Sequence, residues 1–421
     1  MGKRVNIADK ETLDKVYNAL VPDEIYGFIE HMDILAPGQR IEYTGANKDY
    51  TPITVNKETG QASYNSWARF PWLLANKPYM VHSDGTADYR LNETNYAQKE
   101  DGSASDVANA AYDGGAFAWA MKIYKQEYTI GSDRVVNFSI SKRDGFEPIG
   151  FIDPSNKELE GVWIPMFYGS ILGAESTPKM TSLATFQPTY NNTTDQQKTA
   201  ITNFSSRAAF FGGAIVETLI DLMILFSKTT DLQGAYGNGN CHGHDASQAP
   251  TYGVKPNAVI GGGQFYGTSD GKSLNKIFHS IVLGSYNQWM RDPYVVCVNG
   301  KVKVSKNYNY DLTGAVYEDA GITHGKINDN AAYGPVYAHS FRTIGGFGAL
   351  PAAPYKGSTA LGGCDGVWVN TGITAVALRF GHCTYGLVDG PRALGLNNPA
   401  AHATWNIGAA ILLLPPVGVA A

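Results

Sequence analysis

The sequence predicts an α+β fold with few helices, short strands and long irregular loops. The chain has 421 residues, 43% of them hydrophobic and 17% charged, so it can bury a large core. Its 47 glycines, 25 tyrosines and 17 phenylalanines favour turns and short strands over a helical bundle. Helical periodicity is confined to the N-terminus and to the region around residues 194–228, while strand-like runs and turns fill the rest.

Residues 1–35 are predicted to be helical because apolar side chains recur at helical spacing, among them Ile7, Leu13, Ile25 and Phe28. After this segment the pattern changes to strands, loops and turns. The predicted strands lie at 41–43, 117–128, 135–140 and 162–167, with a loop and a short helix at 95–113.

The second helical region is predicted as an amphipathic helix at 194–204 and an apolar helix at 207–228. The apolar run is almost long enough to cross a membrane, but it carries Glu217 and Asp221. Two carboxylates four residues apart favour a core helix with one solvated edge. Asn299-Gly300 predicts a β-hairpin turn. Further strands are expected at 278–289 and 293–304, and long surface loops at 234–275 and 343–363.

The last part of the chain has the most informative pattern. Two apolar, strand-like runs at 374–378 and 407–414 flank a segment rich in Gly, Ala and Asn. Within it, residues 380–404 contain no Lys, Glu, Gln, Met or Trp. Because buried strands fix both ends of this turn-rich segment, it is a natural place for a binding face.

Charge and composition exclude several classes of protein. The net charge of −5 and the lack of a Lys/Arg block argue against nucleic acid as a partner. The N-terminus carries no signal-peptide pattern, and no membrane insertion is expected. The four cysteines form no CxxC pair, which predicts free thiols in a protein made in the cytoplasm, although one disulfide stays open.

One short constellation could hold a metal ion. Residues 241–245 read Cys-His-Gly-His-Asp, but His242 and His244 would point to opposite sides of an extended strand. We therefore expect polar turn residues here, with no metal site and no cofactor; a structural Ca²⁺ at Asp-rich turns such as 101–102 or 328–330 stays open. No nucleophile elbow, phosphate loop or zinc-protease motif occurs, so no enzymatic activity is predicted.

A family resemblance is carried by the terminal segment. Trp-Asn-Ile-Gly-Ala-Ala at 405–410, after Ala-Leu-Arg-Phe-Gly at 377–381 and Leu-Gly-Leu-Asn-Asn at 394–398, resembles the variable region of proteins diversified by diversity-generating retroelements. The resemblance is most specific over residues 361–415. It implies a C-type-lectin-like fold over residues 111–421 with a ligand-binding variable region at 378–406, and a smaller N-terminal attachment or assembly module at 1–110.

The function that the resemblance implies is receptor binding by a phage or prophage tail. The chain would be a virion protein, made in the host cytoplasm, that recognises a host cell-surface protein or glycan and so sets host tropism. Its other partners would be virion tail proteins and copies of itself. A trimer would add avidity to weak single-site contacts.

The resemblance also implies which residues vary. In that family adenines are rewritten, and an AAC or AAT codon randomised in this way cannot yield the five residue types missing from residues 380–404. A half-buried Gly/Ala-rich segment would also lack them, so the depletion has a second explanation. The ligand-binding positions implied are Phe380, His382, Thr384, Tyr385, Asp389, Gly395, Asn397, Asn398, Ala401, His402 and Thr404. The structural anchors implied are Leu378, Arg379, Trp405 and Ile407.

The sequence departs from the family pattern at two places, Phe380 and Pro391-Arg392. Phe380 stands where glycine is usual, and Pro391-Arg392 lengthens or stiffens the middle turn. The exposure of Val388, Asp389 and Arg392 therefore does not follow from the resemblance. Two alternative functions stay open. One is a purely structural virion or baseplate protein, and the other is a formylglycine-generating type of enzyme that would use Cys364 and Cys383.

Overall fold

The computed structural model describes residues 24–244, 254–258, 261, 263–325 and 332–416. The protein is α+β and mostly sheet, with 13% helix and 35% strand, which confirms the predicted fold class at that level. In the described residues the α-helices are α1 Pro37–Arg40, α2 Pro71–Ala75, α3 Thr194–Phe204, α4 Ala214–Ser227, α5 Leu232–Tyr236 and α6 Ile281–Gly284. Short 3₁₀ turns occupy Asn65–Trp67 and Gly386–Val388.

The strands are short and follow one another along the whole chain. The first thirteen are β1 Tyr26–Glu30, β2 Ile41–Gly45, β3 Thr54–Val55, β4 Ala62–Ser63, β5 Pro78–His82, β6 Ala87–Asn92, β7 Asn95–Lys99, β8 Gly114–Met121, β9 Tyr124–Ile130, β10 Asp133–Ser139, β11 Gly161–Pro165, β12 Ser170–Leu172 and β13 Lys179–Thr181. The others are β14 Ala208–Phe210, β15 Trp289–Val298, β16 Lys301–Val304, β17 Glu318–Thr323, β18 Ala332–Tyr337, β19 Ser340–Ile344, β20 Gly348–Ala352, β21 Gly366–Asn370, β22 Thr374–Arg379, β23 Leu394–Leu396, β24 Ile407–Gly408 and β25 Ile411–Leu413.

Three sheets organise these strands. Sheet A has the order β2-β1-β10-β9, and sheet B has the order β14-β25-β11-β8-β5-β6-β7. Sheet C has the order β17-β16-β15-β22-β23-β21-β18, with β24 beside β15. The remaining strands form the hairpins β3/β4, β12/β13 and β19/β20.

Strands from both sides of residue 110 pair with each other. In sheet A, β1 pairs antiparallel with β10, and in sheet B, β5 pairs antiparallel with β8. The predicted boundary between an N-terminal module and the rest therefore does not coincide with a break in strand pairing.

Several predicted elements differ in the structure. Phe28 lies in strand β1 rather than in a helix, because its segment fills the gap between β2 and β10; residues 1–23 of the predicted helix lie outside the described part. The predicted strand at 117–128 is divided between β8, at the centre of sheet B, and β9 in sheet A. Residues 278–289 contain helix α6 rather than a strand, and residues 343–363 contain most of the β19/β20 hairpin rather than only a loop.

Helix α4 is a core helix without a solvated edge. It begins at Ala214 rather than at 207 because Gly213 has a φ of +65° and its amide donates to Asp292 Oδ1 at 2.9 Å. Glu217 and Asp221 are buried and paired with basic side chains, so the solvated edge predicted for them was wrong. Across the described chain, the helices are too short or too polar to traverse a lipid bilayer.

The terminal strands connect the two larger sheets. The predicted strand at 374–378 is confirmed as β22, which pairs with β15 and β23 in sheet C. The run at 407–414 is divided into β24, beside β15 in sheet C, and β25, between β14 and β11 in sheet B. The segment between these runs is therefore fixed at both ends by paired backbone, as the sequence predicts.

Candidate functional site

The candidate site is formed by two loops that leave and re-enter sheet C. The first loop, residues 380–393, connects β22 to β23, and the second loop, residues 397–406, connects β23 to β24. On one face of the sheet, Ala377 and Leu394 pack into the interior. On the other face, Trp289, Trp368 and Leu378 form a separate cluster, and the first loop lies against it.

Buried arginines hold both ends of the first loop. Arg379 Nε donates to Asp292 Oδ2 at 2.9 Å, and its Nη1 lies 2.7 Å from Glu217 Oε1. Arg392 binds Glu30 with two hydrogen bonds of 2.8 and 2.7 Å. Two-pronged pairs of this kind fix both distance and orientation, so the loop starts and ends at defined positions.

Two buried carboxyl groups support the interior of the first loop. Asp389 Oδ1 accepts a hydrogen bond from the His382 amide at 3.2 Å, and Asp365 Oδ2 accepts one from the Arg392 amide at 2.6 Å. Burial raises the pKa of both carboxyl groups well above the usual range. Gly381 has a φ of +94°, and a Cβ there would lie 1.6 Å from Asp389 Oδ1, so this position requires glycine.

Phe380, where the family pattern has glycine, takes a glycine-like conformation. Its φ is +76°, which is unfavourable for a bulky residue. Its ring is fully buried in the main hydrophobic core. The packing of the ring therefore offsets the backbone cost at a position where glycine would be the simpler choice.

An aromatic patch lies under and beside the first loop, formed by Trp289, Trp368, His382, Tyr385 and Trp405. The ring of Tyr385 stacks on Trp368 with centroids 5.3 Å apart and lies 4.1 Å from the ring of His382. His382 also contacts Trp405 of the second loop at 5.7 Å. Since the side chain of Tyr385 is 41% exposed, the patch presents one rigid aromatic ring to solvent.

Residues 240–244, predicted to belong to a separate surface loop, lie against the same patch. The Cys241 carbonyl accepts a hydrogen bond from the Gly386 amide at 3.0 Å, and the ring of His244 lies 5.3 Å from that of Trp405. His242 and His244 are exposed, and Asp245 lies outside the described residues. The site is thus a composite face of both loops and this segment. In the part of the chain that the structure describes, no three His, Cys, Asp or Glu side chains are grouped so that they could hold a metal ion.

The second loop is held mainly through its backbone. The Ala400 carbonyl accepts hydrogen bonds from the amide and hydroxyl of Thr194 at 3.0 and 2.9 Å. Arg291 Nη2 donates to the carbonyls of Asn192, at 3.0 Å, and His402. Arg291 is buried, and its Nε and Nη1 have no hydrogen-bond partner among the described residues. Burial lowers its pKa to about 10.

The structure separates the predicted ligand-binding positions into three groups. Four are exposed at the surface: Thr384, Tyr385, Ala401 and His402. Three are partly exposed: Asn397, Asn398 and Thr404. Four are buried: Phe380, His382, Asp389 and Gly395. Because a buried side chain cannot touch a ligand while the loops keep this conformation, the last four are better described as supports of the face than as contacts.

The predicted anchors are mostly buried. Leu378, Arg379 and Ile407 lie in the interior, as expected for residues that support the loops. Trp405 is partly exposed and packs between His244 and His382, so it contributes to the face as well as to its support.

Some residues of the face were not predicted from the sequence. Trp289 and Trp368 come from strands whose apolar residues do not reveal which face they occupy, and Leu387, 46% exposed, lies in the loop itself. The low charge and the Gly/Asn-rich composition of residues 234–244 were the one available signal that this segment lies at a surface.

The four cysteines are free and buried. Burial raises the pKa of Cys241 and Cys383 to about 12 and that of Cys297 to about 11, and it raises the pKa of Cys364 as well. Thiols with raised pKa values are mostly protonated near neutral pH.

No protein-family model matches the chain, and no curated protein matches it significantly.

Proposed function

We propose that this chain is a non-enzymatic receptor-binding protein of a phage or prophage particle. It recognises a host cell-surface molecule through the composite face of the first loop, the second loop and residues 240–244. The proposal includes a C-type-lectin-like fold for the terminal region and diversification of its exposed positions by a retroelement.

One observation carries the proposal. Side chains at both ends of the first loop are buried and paired, while Thr384 and Tyr385 between them are exposed. In the second loop, Ala401 and His402 are exposed although the neighbouring backbone is hydrogen-bonded to the rest of the fold. A rigid frame that presents replaceable side chains is what a variable binding face requires, because the frame limits the entropy lost on binding.

The chemistry of the face also suits binding. Tyrosine and histidine provide large contact areas and hydrogen-bonding groups with few rotatable bonds. Within residues 380–406 the one acidic and the one basic side chain, Asp389 and Arg392, are buried, so no fixed charge is exposed there. Contact with a partner would therefore not require the desolvation of an unpaired ion.

Binding is tested by comparing the wild-type chain with a Tyr385→Ala/His402→Ala variant in a screen against host cells and arrayed glycans. Both side chains are exposed, so their removal should cost at least tenfold in affinity without unfolding the protein. Tyr128→Ala is the matched control, because Tyr128 is also 41% exposed but lies on β9 of sheet A. Equal binding by all three proteins would contradict the proposed face and favour a purely structural virion protein.

Diversification is tested separately in the gene's neighbourhood. A near-copy of the terminal coding segment that differs only at adenines, next to a reverse transcriptase gene, is the expected finding. The adenine differences should fall on codons of the exposed positions Thr384, Tyr385, Ala401 and His402. If no such copy exists, the retroelement part of the proposal fails, whereas the binding part is still decided by the variants.

A further inference from the structure

The first loop is connected to a buried network of charged side chains. Four basic and three acidic residues take part: Lys125, Arg40, Arg134 and Arg392 with Glu30, Glu127 and Asp221. A second group next to it pairs Arg379 with Glu217 and Asp292. The side chains of both groups come from helix α1, sheet A, helix α4, sheet C and the first loop, and all are almost fully buried.

Glu30 occupies a special place in this network. It lies on β1 and receives three arginines: Arg40 at 2.9 Å, Arg134 at 3.4 Å and Arg392 at 2.7 Å. The arginines lower the pKa of Glu30 despite the opposing effect of its burial, so it is ionised at neutral pH. Three arginines thus contact the carboxylate of Glu30. One of them, Arg392, is 362 residues away from Glu30 in sequence.

The three arginines depend on Glu30 to different degrees. Arg134 also pairs with Glu127 at 2.6 Å and Asp221 at 2.6 Å. Arg40 also donates to backbone carbonyls, including that of Ile34 at 3.0 Å. For Arg392, Glu30 is the one carboxylate within ion-pair distance among the described residues, and the guanidinium otherwise lies 3.7 Å over the ring of Phe341. Loss of the Glu30 charge would thus affect the first loop most.

We propose that Glu30 is a positioning residue for the binding face: through Arg392 it sets the conformation of the first loop, and thereby the placement of Thr384 and Tyr385. The link to binding rests on the proposed function; the link to loop conformation does not. Glu30 itself is fully buried and cannot contact a ligand. The N-terminal strand β1 therefore helps to set the conformation of a face that is formed by the C-terminal part of the chain.

The test is amide hydrogen exchange in the full chain, followed at Gly386, Asp389 and Gly390. These amides donate to carbonyls of Cys241, Gly386 and Phe380 at 3.0 to 3.2 Å, so their exchange reports opening of the first loop. Glu30→Gln and Arg392→Met should each accelerate exchange at these amides by about 10-fold to 100-fold. Glu127→Gln is the matched control: it removes a buried carboxylate from the same network but from partners outside the loop, and it should change these rates less than threefold.

Two further measurements can contradict the proposal even if Glu30→Gln does not fold. If Glu30→Gln does not fold, Glu30→Asp keeps the charge but shortens the reach to Arg392, and it should accelerate the same amides. In the wild-type chain these amides should exchange as slowly as those of β23. Fast exchange in the wild type, or equal rates in Glu30→Gln and Glu127→Gln, would overturn the proposal.

Binding is then measured with the same variants on the host cells that the wild type binds. Glu30→Gln should weaken binding tenfold or more, while Glu127→Gln should not. Accelerated exchange with unchanged binding would overturn the link between Glu30 and the face. If Tyr385→Ala/His402→Ala also binds normally, the proposed function itself fails, and the exchange rates alone decide whether Glu30 sets the loop conformation.

Discussion

The two loops of the candidate face are neighbours, but they are held by different kinds of interaction. The first loop is bounded by Arg379 and Arg392, and both arginines are paired with buried carboxylates. The second loop lies over Arg291, a buried arginine whose hydrogen-bond acceptors are backbone carbonyls of Asn192 and His402.

The difference has a physical consequence for each loop. A buried charge paired with a carboxylate strongly opposes any movement that separates the two, because an unpaired charge would remain in the interior. Backbone carbonyls offset only part of the cost of burying a guanidinium, so less is lost when they move away. We therefore expect the first loop to be the rigid half of the face and the second loop to be the adaptable half.

The largest effect is expected from Arg379→Met. This change leaves Glu217 and Asp292 without their arginine in the interior, and removal of one partner of a buried ion pair costs about 3–5 kcal/mol. Urea unfolding of the variant should show a free energy of unfolding lower by that amount. Arg379→Lys, which keeps the charge but loses the forked geometry, should recover part of it. A loss below about 1 kcal/mol in Arg379→Met would mean that the pairs do not hold the loop.

A second prediction concerns pH, through His382 in the first loop. Burial, with a smaller effect of His244, lowers the pKa of His382 from 6.5 to about 3. The unfolded chain therefore binds the proton more readily between pH 6.5 and pH 3, and stability falls as pH drops through that window. From pH 7 to pH 5 the loss attributable to this group is about 2 kcal/mol.

The measurement is urea unfolding at both pH values for the wild type and for His382→Phe. Phenylalanine keeps the ring contacts with Tyr385 and Trp405 but does not titrate, so the variant should lose about 2 kcal/mol less than the wild type on acidification. The difference between the two proteins isolates His382 from the other histidines. An identical loss in both would show that His382 is already solvated in the folded protein.

Sequence reasoning identified the class of fold and the strands that bound the terminal segment better than the pairing of the other strands. The strand β22, the amphipathic helix α3 and the Asn299-Gly300 turn have local signals, which is why they were predicted. The pairing of β1 with β10 joins residues about a hundred positions apart and leaves no local signal. Phe28 was predicted to be helical because its apolar neighbours fit the 3.6-residue period of a helix as well as the two-residue period of a strand.

The candidate site shows the same limit. The pattern of residues 380–404 marked the segment, but it could not tell Thr384, which is exposed, from Asp389, which is buried. Burial of a polar group depends on partners elsewhere in the fold, such as the His382 amide that donates to Asp389 and the Glu30 carboxylate that accepts from Arg392. Only the three-dimensional arrangement brings Glu30 and His244 to this region.

The smallest effect is expected from Arg291→Met, under the second loop. The change removes a buried charge that has no carboxylate partner among the described residues, and this gain offsets the loss of two hydrogen bonds to the carbonyls of Asn192 and His402. The free energy of unfolding should therefore change by no more than about 1 kcal/mol in either direction, against 3–5 kcal/mol for Arg379→Met. Urea unfolding of the two variants under one set of conditions makes the comparison direct. If Arg291→Met were as costly as Arg379→Met, backbone carbonyls would hold a buried arginine as firmly as carboxylates do, and the second loop would be no more adaptable than the first.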